Sequence, residues 1–194
     1  MPLKVVVIGG GASGLAAAIT AAWGGAEVII LEHKDRVGKK ILMTGNGKCN
    51  LTNVSDYHGK YYVEDVERIY SFLDRFSPQD TIAFFRQMGL YTKEKRDGGI
   101  YPVSEQATAV LDVLRSTCIH LGVKVFTECE PVSIKQGMVY YLEQKTQKKQ
   151  IHFDKLILAA GGTAAPVSGS DGSGYNLAKT LGHHPVSYTH LTLP

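Results

Sequence analysis

The stretch that most restricts the fold is Lys4 to Glu32, KVVVIGGGASGLAAAITAAWGGAEVIILE. A short run of branched apolar residues ends in glycines, an alanine-rich segment follows, Gly24-Gly25 interrupts it, and a second Val/Ile run closes the unit. That order predicts strand, tight turn, helix and strand, a single βαβ unit whose strands are parallel. Gly9-x-Gly11-x-x-Gly14 has dinucleotide-fingerprint spacing: Gly9 for the turn, Gly11 for approach of a pyrophosphate, Gly14 for close packing of helix on strand. The N–H groups of the opening helix turn, around Ala12 and Ser13, face the phosphates. Glu32, 23 positions beyond Gly9, stands where an acid accepts hydrogen bonds from ribose hydroxyls. His33 beside it is a second cofactor-side residue. A carboxylate at this point repels a 2′-phosphate, which disfavours NADP here.

Beyond the unit, the chain departs from strand-helix alternation. Gly38-Lys39-Lys40 carries two ammonium groups that either reach the pyrophosphate or adenosine end or stay solvated. TGNGKCNLTN, Thr44 to Asn53, is too polar and too rich in glycine for a core. VEDVERIYSFLDRF places Val63, Val66, Ile69, Tyr70 and Leu73 on one helical face. Ser77-Pro78 opens a second helix with serine at N-cap and proline at N1, and Gly89 closes it. A third runs from about Glu105 to Leu121 and ends at Gly122. From Val123 the period becomes two, and VKVFTE, PVSIKQ, MVYYLEQ and QIHF predict an antiparallel meander. DKLILAAGG then reads as a strand covered on both faces. The expected class is α/β, Rossmann-like, with a central parallel sheet and an antiparallel β-meander.

A chain of 194 residues supports roughly one domain. Its net charge of +3 is mild, and its densest basic run, KTQKK, falls between strand-like segments as a hairpin tip. Nucleic acid is therefore not an expected partner. The three cysteines, Cys49, Cys118 and Cys129, include no C-x-x-C and form no disulfide framework, which fits a reducing cytoplasm. LKVVVIGGG is too short for a signal core or a membrane span, so no membrane partner is expected. No metal-binding, G-x-S-x-G or Walker pattern occurs.

Five strings, VIGGGASGLAAAI, GKKILMTGNGKCNLTN, GGIYPVSEQATAVLDVL, LILAAGG and GSGYNLAKTLGH, together resemble one bacterial flavoprotein family, the aminoacetone-oxidase-like or 3-dehydro-bile-acid-reductase-like FAD proteins. The order of elements is also similar to the glutathione-reductase-like FAD domain. The resemblance implies FAD, a flavin-dependent oxidoreductase, NAD(P)H as co-substrate, and a conjugated ketone or similar small organic substrate. It further implies an inserted β-rich domain and a returning FAD-domain segment beyond His184, so that residues 1–184 represent the N-terminal part of an FAD-binding domain, truncated and by itself inactive. An oxidase of an amine or aminoketone and a non-catalytic FAD-binding module are the competing readings. Val186 to Pro194, VSYTHLTLP, resembles an in-frame translation of a sequencing adapter, which makes 185–194 a non-native tail; an edge strand with alternating Val186, Tyr188 and His190 is the other reading. Two departures from the family pattern stand out: Lys48 where arginine is usual before the cysteine, and Asp171 displaced by two positions in SDGSGY.

For site residues, the resemblance implies a flavin loop over Thr44, Gly45, Asn46, Gly47, Cys49 and Asn50, with glycines for close approach and amides for the polar ring edge. An Asn/Gly turn with internal bonds explains the composition alone. Cys49 without a second nearby thiol reads as a packing residue beside the cofactor, because reactivity needs a depressed pKa. Val132 is expected to offer backbone groups to adenine, and Ala160, Gly161 and Gly162 to let a strand end approach the cofactor. Tyr101, on a turn with Arg96 and Pro102, either meets substrate or is structural. No catalytic acid or base is identified.

Overall fold

The computed structural model describes residues 1–55, 61, 65–163 and 169–185. Val63 and the VSYTHLTLP segment lie outside the described residues. The chain forms two compact units, one of residues 1–40 with 118–194 and one of 41–117.

In the first unit β1 (Lys4–Ile8), α1 (Ala12–Trp23) and β2 (Glu27–Leu31) form the expected βαβ unit. The parallel sheet has the order β10-β1-β2-β6, with β6 at Lys124–Phe126 and β10 at Lys155–Leu158. Alternation divides its side chains between two faces. Val6, Ile8, Ile29 and Leu31 pack with Ile134, Val139 and Tyr141 of a three-stranded antiparallel sheet, β7 (Cys129–Lys135), β8 (Met138–Glu143) and β9 (Gln147–His152). The other face carries α1, whose Leu15 and Ile19 are wholly buried. Burying each such side chain contributes about 1.5–3 kcal/mol. Gly14 makes that contact possible, since a Cβ on it would stand 1.8 Å from the Gly9 carbonyl oxygen.

One expectation for this unit needs correction. VKVFTE is not part of the meander: β6 pairs in parallel with β2, Ile29 opposite Lys124 and Leu31 opposite Phe126. Period two records that a segment is extended and leaves its partner open; a parallel partner requires a crossover connection, and α5 (Ala107–His120) precedes β6 in the chain. The β10 strand pairs with β1 at the end of the strand order; Leu156 and Leu158 pack on the core, α1 also contacts the strand, Lys155 is exposed, and Leu156 to Leu158 are half-buried. The KTQKK expectation holds for Lys145, exposed in the β8–β9 turn with φ 63°, while Lys148 and Lys149 belong to β9. At the end of α6 (Ser173–Thr180), Gly182 is left-handed and the His183 N–H reaches the Ala178 carbonyl at 3.1 Å, a backbone C-terminal cap.

The second unit holds α3 (Val66–Arg75), α4 (Pro78–Gln87) and a small antiparallel sheet, order β3-β5-β4, that periodicity did not reveal. Its strands are β3 (Thr52–Asn53), β4 (Thr92–Glu94) and β5 (Gly99–Pro102), too short to display a period. Tyr101 and Pro102 therefore lie on a strand, and only Arg96 occupies the turn. Helix α4 starts as expected: Ser77 Oγ accepts the Asp80 N–H at 3.2 Å while Asp80 Oδ2 accepts the Ser77 N–H at 2.7 Å. A short helix, α2 (Lys39–Leu42), crosses the division between the units.

Candidate functional site

The glycine turn of the first unit shows which glycines the chain needs for itself. A Cβ on Gly9 would meet the Ala159 carbonyl oxygen at 2.5 Å, and Gly9 has φ 101°. Gly11 differs on both counts: its φ is −75°, ordinary for any residue, and nothing in the chain lies within 4 Å of an added Cβ. Neither packing nor backbone conformation requires glycine there, so the space above it suits a ligand that approaches the backbone. Gly11 is the N-cap of α1 without a side-chain cap bond, and the first turn has no acidic residue. Ala12 and Ser13 are exposed beside it. The opening N–H groups of a helix of 12 residues thus stand ready for an anion.

Glu32 closes the turn from the opposite side. It is 6 % exposed, and Oε2 accepts the Gly10 N–H at 2.7 Å while Oε1 accepts the Lys34 N–H at 2.8 Å. His33 Nδ1 lies 3.1 Å from Oε1. Burial by itself would push the Glu32 carboxyl up, but His33 and the N–H groups of Lys34 and Gly10 together outweigh it and hold the group below the usual carboxylate range. Glu32 is consequently a keystone of the turn as well as a carboxylate beside it. His33 Nε2 is buried with no hydrogen-bond partner among the described residues, an orphan that a ligand atom would satisfy. His33 lines a cavity of about 620 Å³ with Lys34, Asp35, Glu128, Glu130 and Asp171 among its walls. A wall so rich in carboxylates suits hydroxyls better than a phosphate monoester.

The remaining residues expected in this unit divide. Lys39 pairs with Asp35, one turn away, and Lys40 Nζ donates to Ser170 Oγ at 3.1 Å. Both ammonium groups have partners within the chain. Val132 is the extra residue of a bulge: Pro131 pairs with Tyr141 and Ser133 with Tyr140, so Val132 has no partner in the β8 register. Its backbone is thereby released from the ladder, as contact with a base requires. Ala160 packs against the core, and Gly161 has φ 77° with Ser170 Oγ 2.6 Å from an added Cβ. The chain's own packing accounts for Gly161. Asp171 Oδ1 accepts the Ser173 N–H at 3.0 Å, and the Ser173 hydroxyl together with that N–H holds its carboxyl below the usual carboxylate range.

The second unit contains the whole Thr44–Asn50 loop. Gly45 repeats the signature of Gly11: no left-handed φ and nothing within 4 Å of an added Cβ. Among the described glycines only these two lack a reason within the chain. Gly47, in contrast, has φ 69°, and its carbonyl accepts the Ala107 N–H at 2.7 Å. Asn46 Oδ1 accepts the Lys48 N–H at 3.2 Å, an Asx turn, so its acceptor already works within the loop. Thr44 Oγ1 is buried without a partner among the described residues, a second orphan. Asn50 opens onto a cavity of about 530 Å³ with Tyr61, Leu73 and Phe76 among its walls. Cys49 is half-buried, and burial pushes its thiol up, away from the thiolate that redox or nucleophilic chemistry needs.

Sequence reasoning missed Ser170, buried at 6 % and the partner of Lys40, and the carboxylate wall at Glu128 and Glu130. Ser170 follows a glycine in a polar loop and carries no local signal. It also missed Glu105, joined by Lys48, Lys93 and Lys95, which bring its carboxyl down to about 2.

Comparison with known proteins follows the same lines. The pattern of the HI0933-like protein Rossmann domain matches residues 3–190. The chain is 43 % identical over 182 residues to a 3-dehydro-bile acid delta(4,6)-reductase of Clostridium scindens, covering 93 % of this chain and 44 % of that protein. It is 29 % identical over 182 residues to a ribosomal RNA dihydrouridine synthase of Haemophilus influenzae, covering 91 % and 45 %. The chain thus spans less than half the length of these curated relatives. Its fold is similar to that of Thermovibrio ammonificans THI4, with a TM-score of 0.60, 17 % identity, and coverage of 87 % of this chain and 61 % of that one.

Proposed function

The chain belongs to the HI0933-like protein Rossmann domain family, and from that premise we propose that it is the cofactor-binding part of an FAD-dependent reductase of a carbon–carbon double bond conjugated to a carbonyl group. The observation that carries this reading is the 43 % identity to the delta(4,6)-reductase over 93 % of the chain. The second relative makes dihydrouridine, which is uridine with two added hydrogens, so both names describe hydrogen addition to a conjugated double bond. The higher identity favours a small organic substrate, a steroid-like enone, over RNA. NAD(P)H is the proposed reductant.

The residues fit FAD. The open space above Gly11 and the uncapped start of α1 suit the pyrophosphate, and the carboxylate-lined cavity at His33 suits the ribose. Within the second unit, Gly45 and Thr44 Oγ1, which has no partner among the described residues, suit the edge of a flat polar ring system. FAD, when bound, supplies hydride chemistry that no side chain can perform. The protein's part is to bind and orient. Glu32 keeps the Gly10 and Lys34 N–H groups fixed, which maintains the turn in the shape the pyrophosphate meets. Cys49, kept as a thiol by burial, contributes packing beside the ring.

The test is anaerobic reduction, with NADH or NADPH, of the complete protein of which this chain is the proposed cofactor-binding part. The expected result is a bound flavin that bleaches and is reoxidised stoichiometrically by a conjugated steroid ketone. Reoxidation by oxygen alone, with an amine or aminoketone as the electron source, would replace the reductase reading with that of an oxidase. Bound flavin that no nicotinamide nucleotide reduces would indicate a non-catalytic binding module.

A further inference from the structure

A cationic cluster in the second unit has more positive charge than its own partner needs. Glu105 follows β5 with φ 55°, a left-handed backbone that side chains other than glycine seldom adopt. Its carboxylate is met by the ammonium groups of Lys48, of Lys93 at 2.5 Å and of Lys95 at 3.2 Å. Lys93 lies in β4 and Lys95 directly after it, before the turn at Arg96 and Asp97. Tyr101 lies opposite Lys93 in the strand register, and its ring centroid is 4.1 Å from Lys95 Nζ. The three lysine side chains remain 37 %, 42 % and 32 % exposed, so solvent reaches all of them.

Among the described residues, one carboxylate and three ammonium groups leave a surplus of two positive charges in this cluster. An ammonium has three donors and no acceptor, while Glu105 offers only two oxygens, so most of the donors face outward. Like charges held this close repel one another, a cost that an arriving anion would relieve. Lys48 belongs to the Thr44–Asn50 loop, which puts the surplus beside the residues proposed for the flavin ring. A nucleic-acid track needs cations spread along a stripe to follow successive phosphates. Here they converge, and the same hairpin carries Glu94 and Asp97.

We propose that Lys48, Lys93 and Lys95 form an anion site that takes the carboxylate or phosphate-ester group of a small organic substrate and so orients its reacting double bond toward the Thr44–Asn50 loop. The assignment to substrate rests on the reductase reading above. Glu105 is a positioning residue that gathers the lysines, and the Tyr101 ring steadies Lys95.

Two measurements test this. In the first, inorganic phosphate is titrated into the chain without flavin while the backbone amide resonances of Lys48, Lys93, Lys95 and Glu105 are followed. Saturable shifts are expected, with affinity at least tenfold weaker in a K93Q/K95Q double variant and restored in K93R/K95R. Absence of a saturable response would overturn the site whatever the enzyme's reaction. In the second, steroid enones bearing a side-chain carboxylate, a phosphate ester or a neutral methyl ester are compared in turnover by the complete reductase of which this chain is the proposed cofactor-binding part. The anionic forms are expected to have the higher kcat/KM by tenfold or more, the better of the two identifies the group recognised, and K93Q/K95Q should bring the ratio near one. An unchanged ratio in the variant would refute the substrate role. Phosphate binding without any turnover would count against the reductase reading and leave the anion site standing. An RNA oligonucleotide that binds more tightly than the small anions and is lost in the same variant would overturn the choice of a small substrate.

Discussion

Replacing Gly11 by alanine separates what the fold needs from what the ligand needs. At φ −75° an alanine fits the backbone, and its Cβ has no neighbour within 4 Å. The chain without flavin should therefore keep its stability to within about 1 kcal/mol, the scale of a change at an N-cap. Gly14→Ala is the opposite case, because its Cβ would fall 1.8 Å from the Gly9 carbonyl oxygen and force helix and strand apart. For the ligand the expectation inverts. FAD at 100 times its Kd stabilises the wild-type chain by about 2.7 kcal/mol, and a hundredfold weaker Kd at the same concentration leaves about 0.4 kcal/mol. At roughly 2–4 °C per kcal/mol for a chain of this size, FAD should raise the wild-type melting temperature by about 5–11 °C and that of Gly11→Ala by about 1 °C. Calorimetry with and without FAD, together with quenching of flavin fluorescence, provides both quantities. The reasoning is refuted if Gly11→Ala melts as low as Gly14→Ala without ligand, or if it binds FAD with the wild-type Kd.

Two other outcomes are expected. Glu32→Gln replaces an acceptor of two N–H groups, one buried and one partly buried, by an amide with one acceptor oxygen, at a cost of about 1–3 kcal/mol. Because the folded carboxyl lies below its usual value, the stability it contributes is fully present above the unfolded pKa and is lost as pH falls through the folded one. Melting curves of wild type and variant should thus be separated at pH 7 and converge in acid; a constant gap would show that the charge is irrelevant. Cys49 should alkylate with iodoacetamide no faster than a free thiol at neutral pH, since burial raises it. Rapid labelling at pH 6, read by mass spectrometry of the Cys49 peptide, would restore the redox-centre reading.

The local grammar of the chain was legible because it depends on neighbours a few residues apart. The βαβ unit, the serine N-cap and N1 proline at Ser77 and Pro78, and the stop at Gly122 follow from backbone preferences and short-range hydrogen bonds that a string of residues already specifies. So does the fingerprint spacing of Gly9, Gly11 and Gly14. The spacing also assigned the three fingerprint glycines to turn, ligand approach and packing, and tertiary structure supplied the atoms behind each role: Ala159 against Gly9, Gly9 against Gly14, and open space at Gly11. Whether β6 joins the parallel sheet or the meander depends on the path of the chain between strands, not on their alternation. Lys48, Lys93 and Lys95 converge on Glu105 from two separate segments, because strand pairing brings β4 and β5 together and a backbone bond ties Gly47 to Ala107. Charge acts through space, and a sequence records only distance along the chain.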